Sequence, residues 1–94
     1  MIEIYLTGQL VCATEEQAEV VGLYLANHIK LTRAEAGCIS FMVAQTRDPL
    51  VWSVEERFED QRVFELHQRR VAGSEWGRAT ASIERRYSIH GLSR

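Results

Sequence analysis

A chain of 94 residues suffices for one small domain, in which folding hides roughly 60–65% of the surface that the unfolded chain exposes. Hydrophobic residues make up 46% and charged residues 26%, the composition of an ordinary soluble globular protein. The net charge of −2 excludes a general electrostatic attraction to nucleic acid or to an acidic membrane surface.

Residues 2–12 alternate with period two, Ile2, Ile4, Leu6 and Leu10 against Glu3, Tyr5, Thr7, Gln9 and Val11, and this predicts a strand. Thr14 followed by Glu15 and Glu16 opens a helix: a hydroxyl cap, then acids where the helix dipole favours them. That helix runs to about Glu35, before Gly37, with an apolar stripe of Ala18, Val21, Leu25 and Ile29 widened by Val20, Leu23 and Tyr24. A second strand spans 38–47, with Ile39, Phe41 and Val43 on one face and Ser40, Met42 and Ala44 on the other. Asp48-Pro49 makes the turn into a third strand, 50–58, which sets Trp52, Val54 and Phe58 opposite Ser53, Glu55 and Arg57. Asp60 caps a short helix whose Val63, Phe64, Leu66 and His67 face inward or nearly so. Gly73-Ser74 ends it, Ser74 caps a further short helical piece holding Trp76, and a last strand over 82–92 places Ile83, Tyr87 and Ile89 opposite Glu84, Arg86, Ser88 and His90.

The order β-α-β-β-α-β predicts an α+β, ferredoxin-like domain covering 1–94: a four-stranded antiparallel sheet with its helices on one face. The other face, with Tyr5 and Met42 among polar groups, is too mixed for a dry core and too apolar for plain solvent. It suits either a half-solvated sheet or a second sheet from another copy of the chain. Arg69, Arg70, Arg78, Arg85 and Arg86 are interrupted by acids and read as solvated helix and strand surface rather than a nucleic-acid stripe. The opening "MIEIYLTGQLVC" lacks the basic start and apolar core of a signal peptide, and no segment reaches the ~18 apolar residues that span a bilayer. Cys12 and Cys38, without a CxxC pairing, read as reduced, buried thiols, and the expected location is cytoplasmic, with no membrane partner.

The run "HIKLTRAEAGCISFMVAQTRDPLVWSVEERFEDQRVFELHQRR" resembles the antibiotic biosynthesis monooxygenase domain family. The resemblance lies in His28 near the end of the first helix, then Arg33, Glu35, Gly37, Cys38, Asp48, Pro49, Glu55 or Glu56, Asp60, Phe64 and His67, in that order. It implies a homodimer whose two sheets face each other as a dimeric α/β barrel, with a pocket between sheet and helices in each subunit. The activities it implies are oxygenation of quinol-like or polyketide aromatics without metal or flavin, haem degradation, and isomerisation of small sugar phosphates. The haem-degrading branch pairs an Asn in strand one with a Trp in the second helix and a His after it. Here Thr7 takes the first place and the Trp/His order is reversed, as His67 then Trp76, which disfavours that activity.

His67, on one helical face with Phe64 and Val71, is the candidate catalytic base: an imidazole that takes a proton from a phenol or quinol hydroxyl, so that oxygen meets an electron-rich anion in a water-poor cavity. The plainer alternative is a packed histidine bonded to a backbone carbonyl. His28 either lines the same pocket or serves the helix end, where the dipole favours a cation. Trp76, after the Gly-Ser break, either closes over a flat ligand or is simply buried; Trp52 has the same choice. Tyr5, Thr7 and Tyr87 are polar candidates, and Phe64 an apolar one, for the substrate-binding wall; Arg86 is expected to serve there or to pair with a carboxylate such as Glu3. Three dispersed histidines have no metal-ligand spacing, so no metal is expected, and the resemblance implies no other cofactor. The leading expectation is a cofactor-independent monooxygenase of a small aromatic or quinol, and the alternative a non-catalytic small-molecule-binding homodimer of the same fold.

Overall fold

The computed structural model describes residues 2–93. The elements follow as β1 (Ile4–Val11), α1 (Glu15–Arg33), β2 (Cys38–Gln45), β3 (Val51–Phe58), α2 (Gln61–Ala72), α3 (Glu75–Ala79) and β4 (Glu84–His90). The strands form one antiparallel sheet in the order β2-β3-β1-β4, so the ferredoxin-like topology is present. Each helix starts where a capping side chain stands. The Thr14 hydroxyl accepts from the Gln17 amide, the Asp60 carboxylate from Val63, and the Ser74 hydroxyl from Gly77.

Alternation along the strands builds the core between sheet and helices. Ile4, Leu6 and Leu10 of β1, Phe41 and Val43 of β2, and Trp52, Val54 and Phe58 of β3 are buried against Val21, Phe64 and Trp76. Complete burial of one such side chain contributes about 1.5–3 kcal/mol.

Four apolar residues expected inside lie outside. Ile2 is 72% exposed because it precedes the paired part of β1, which begins at Ile4 opposite Phe58. Leu23 and Leu66 each stand two residues past a buried position, Val21 and Phe64, which turns them about 200° around the helix and into solvent. Ile39 is half-exposed because β2 carries a bulge: Cys38 opposes Phe58 and Ser40 opposes Arg57, leaving Ile39 as the extra residue. The bulge adds Ile39 to the outer face beside Met42.

The α1–β2 connection is fastened twice. The Arg33 guanidinium donates two bonds to the Phe41 carbonyl, at 2.8 and 3.1 Å. Gly37 has φ +89°, and a Cβ there would stand 2.6 Å from a Val63 methyl group. Only glycine therefore lets the first turn of α2 lie on this loop. The loop in turn carries Glu35 to the underside of α2.

Cys12 and Cys38 are free thiols, the first buried and the second half-buried. Among the described residues no helix is long and apolar enough to cross a membrane.

Candidate active site

The face of α2 that carries Phe64 carries His67 one turn later, so both enter the core and His67 is 3% exposed. Its Nδ1 lies 2.7 Å from Glu35 Oε1. The other Glu35 oxygen accepts from Arg70 Nε at 2.7 Å, and Arg70 also donates to the Thr32 hydroxyl at 3.0 Å. A carboxylate can only accept, so Nδ1 holds the imidazole proton and Nε2 keeps its lone pair. That lone pair faces Glu56, with Nε2 3.6 Å from Oε1. His67 therefore stands between two carboxyl groups, one bonded to it and one just beyond bonding distance.

Glu56 lies between Val54 and Phe58 on the inward face of β3 and is 6% exposed. Its Oε1 is buried with no hydrogen-bond partner, and so is His28 Nδ1 on α1. Burial pushes the Glu56 carboxyl up to about 7, with Glu35 adding to the rise and Arg85 opposing it. Burial likewise holds His28 down to about 3, helped by His67, Arg70 and Arg85. For His67, burial lowers the imidazole below its usual range more than the bond to Glu35 raises it. Both histidines are therefore neutral at pH 7, and Glu56 is about half protonated there.

Glu56, His28 and His67 line one cavity of about 40 Å³ under the helices, together with Phe41, Trp76 and Tyr87. A water needs roughly 10–15 Å³ on this measure, so the space holds a few water-sized groups and no aromatic ring. On the outer side of α1 and α3 lies a groove of about 280 Å³ that His28 and Trp76 also line. The two rings, stacked at 4.4 Å and 3°, are the wall between groove and cavity. Thr80 and Arg85 hold that wall. The Thr80 hydroxyl donates to the Trp76 carbonyl at 2.6 Å and accepts from Arg85 at 2.8 Å.

Of the residues singled out from the sequence, His67, His28, Trp76 and Tyr87 come together here. Phe64 is buried one layer away, against Phe58. Trp52 is buried at the start of β3, its indole N–H unpartnered, and does not line the cavity. Tyr5 and Thr7 stand on the outer face of the sheet, opposite Arg57 and Glu55 of β3. The Tyr5 hydroxyl donates to Glu55 at 2.9 Å, and Tyr5 lines an outer groove of about 470 Å³ with Ile39 and Met42. That groove is larger than the cavity under the helices, and His67 does not line it.

Three expectations are corrected. His28 does not serve the end of α1 as a cation: it lies five residues before that end, buried and neutral. Arg86 pairs with Glu84, and Glu3 takes Arg57 instead. Arg70 and Arg85, read as solvated surface, turn toward the site.

Glu35 and Glu56 were not among the candidates. Period two through β3 puts Glu56 on the face of Val54 and Phe58, an acid where an apolar residue belongs. Glu35 follows the end of α1, where the dipole disfavours an acid, so its purpose had to lie outside that helix.

Structural similarity extends over nearly the whole chain. Rv0793 from Mycobacterium tuberculosis superposes with a TM-score of 0.74 at 16% identity, covering 98% of this chain and 96% of that one. PA3566 from Pseudomonas aeruginosa gives 0.72 at 22% identity over 100% and 95%. MupZ from Pseudomonas fluorescens gives 0.79 at 20% identity over 97% and 70%. At these identities the likeness establishes the fold. No curated protein matches the sequence. The family model described as antibiotic biosynthesis monooxygenase matches residues 4–78, from the first strand through Trp76, and the chain belongs to that family.

Proposed function

We propose that the protein is a cofactor-independent monooxygenase of a small hydroxylated aromatic or quinol, with His67 as its base. The observation that carries this reading is the state of His67: buried, neutral, its proton fixed on Nδ1 by Glu35, and its Nε2 unprotonated toward the cavity. A hydroxyl brought to Nε2 loses its proton to the imidazole, and the imidazolium formed is stabilised by Glu35. The aromatic anion is then the electron donor to oxygen. For an anthrone, one O₂ converts the ring CH₂ to a carbonyl and leaves its second oxygen as water. Phe41, Phe58 and Trp76 exclude bulk water while this happens.

A ring enters only if Trp76 yields, because the closed cavity is about 40 Å³. The groove on the far side of the His28–Trp76 wall is the approach. In this reading the active form is a homodimer with the two sheets packed face to face, located in the cytoplasm.

Oxygen uptake with a panel of quinols and anthrones tests the reading. The expected result is one O₂ consumed per product, with a loss of at least a hundredfold in kcat for His67→Ala. Unchanged turnover by that variant removes His67 from the reaction. The second reading is a non-catalytic homodimer that uses the same pocket to bind a small molecule. Calorimetric binding of the same compounds without oxygen uptake supports it.

A further inference from the structure

Three polar groups around the cavity are unfilled at once: Glu56 Oε1 and His28 Nδ1 have no partner, and His67 Nε2 points at Glu56 without bonding it. Buried polar atoms without partners are costly, and one is an exception that asks for a cause. Two of these atoms are 3.6 Å apart. A single oxygen at roughly 2.8 Å from each fits at the apex of that triangle. The cavity is large enough for that oxygen and a few water-sized groups in all, but not for a ring.

We propose that Glu56 is a catalytic residue of this site: its Oε1 and the Nε2 of His67 grip one hydroxyl oxygen of the ligand, Glu56 donating to that oxygen while His67 takes its proton. The inference rests on the reading of His67 as a base and adds what stabilises the anion. The O–H bond of the ligand breaks and its proton goes to Nε2. The negative oxygen left behind keeps the hydrogen bond from the Glu56 carboxylic acid. The protonated form of Glu56, which burial in this apolar site favours, is suited to this, because it donates to an oxyanion where a carboxylate would repel it. Burial sets that state, Glu35 beyond His67 reinforces it and Arg85 of β4 opposes it, while Tyr87 of β4 and His28 of α1 complete the lining. The ligand class follows. It is an aromatic with a free hydroxyl at the end that enters first, and the corresponding methyl ether is rejected because it leaves both groups unpaired.

The test uses 1-naphthol and 1-methoxynaphthalene, titrated calorimetrically into the full chain under nitrogen, so that no turnover intervenes. Wild-type protein is expected to bind the naphthol at least tenfold more tightly and to shift its absorption to that of the naphtholate. Glu56→Leu is expected to bind the two probes within threefold of each other and to lose the shift. Glu56→Gln, which still donates, is expected to keep the preference. Glu55→Gln, changed on the opposite face of the sheet, serves as the control and is expected to match wild type. Equal binding of the two probes by wild type, no binding of either at millimolar concentration, or a preference that survives in folded Glu56→Leu each overturns the proposal. A Glu56-dependent preference with no oxygen uptake in air sinks the monooxygenase reading and leaves this one standing.

Discussion

Glu56 and His28 pull the pH dependence of stability in opposite directions. Glu56 is raised from its ordinary 4.5 to about 7. Between those values the unfolded chain has lost this proton and the folded chain keeps it, so stability falls as pH rises, by about 3 kcal/mol in all. His28 is lowered from 6.5 to about 3. Between those values the unfolded chain carries the proton and the folded chain does not, so stability falls as pH drops, by roughly 5 kcal/mol in all. His67 is shifted the same way as His28 and adds to the acid side. From about pH 4.5 to 6.5 the Glu56 and His28 slopes therefore offset each other. Urea unfolding across this range is expected to show a steeper rise of stability with pH in Glu56→Gln than in wild type, and a flatter one in His28→Gln. Profiles that superpose in all three proteins would show that neither group is shifted by burial. The residue that makes this prediction possible, Glu56, could have been read from the alternation of β3. The partner that fixes His67, Glu35, could not, because 32 residues separate them and only the packing of α2 on the α1–β2 loop closes that distance.

That packing belongs to the scale of elements, and Gly37 is where it is weakest. Any side chain there meets two costs: a left-handed φ of +89° and a Cβ 2.6–2.7 Å from both methyl groups of Val63. Val63 lies in the first turn of α2, and its amide is the one that Asp60 caps. Gly37→Ala is expected to lower stability by about 2–4 kcal/mol and to lift the start of α2, moving His67 off Glu35. Thermal unfolding measures the first effect. The second is read from the Nδ1 proton of His67 by NMR, whose low-field signal is expected to weaken or vanish. Retention of both stability and signal would refute the account of this loop. Element identity was legible because caps and periods are local: Thr14, Asp60 and Ser74 mark the helix starts, and period two marks the strands. The bulge at Ile39 was not legible, since a bulge is a mismatch between two strands and β2 alone alternates through it without a break. The solvent-facing Leu23 and Leu66 were misread for a related reason. A helix of mixed sequence leaves several apolar faces, and only the sheet decides which one turns inward.

For the molecule as a whole, the outer face of the sheet is the surface on which the proposed dimer rests. The chain exposes 6097 Å², about a tenth more than the ~5,500 Å² ordinary for a compact 10.8 kDa monomer. Part of that surface is apolar where the bulge places Ile39, 46% exposed, beside Met42, 55% exposed. The charges on this face are largely paired within it, Glu3 with Arg57, Glu84 with Arg86, and Glu55 with the Tyr5 hydroxyl. Two copies can therefore approach without a large charge penalty, and a standard interface needs only about 800 Å² from each. The proposed dimer follows from this face. Its disruption is expected from Met42→Glu, which puts an unpaired carboxylate at the centre of the apolar patch and touches none of the buried core. Light scattering is expected to report twice 10.8 kDa for wild type at micromolar concentration and a single 10.8 kDa particle for the variant, with far-UV circular dichroism retained. A wild-type protein that runs as the smaller particle removes the dimer. A variant that still runs as the larger one moves the interface elsewhere, and the exposed Leu23 and Leu31 of α1 become the surface to change next.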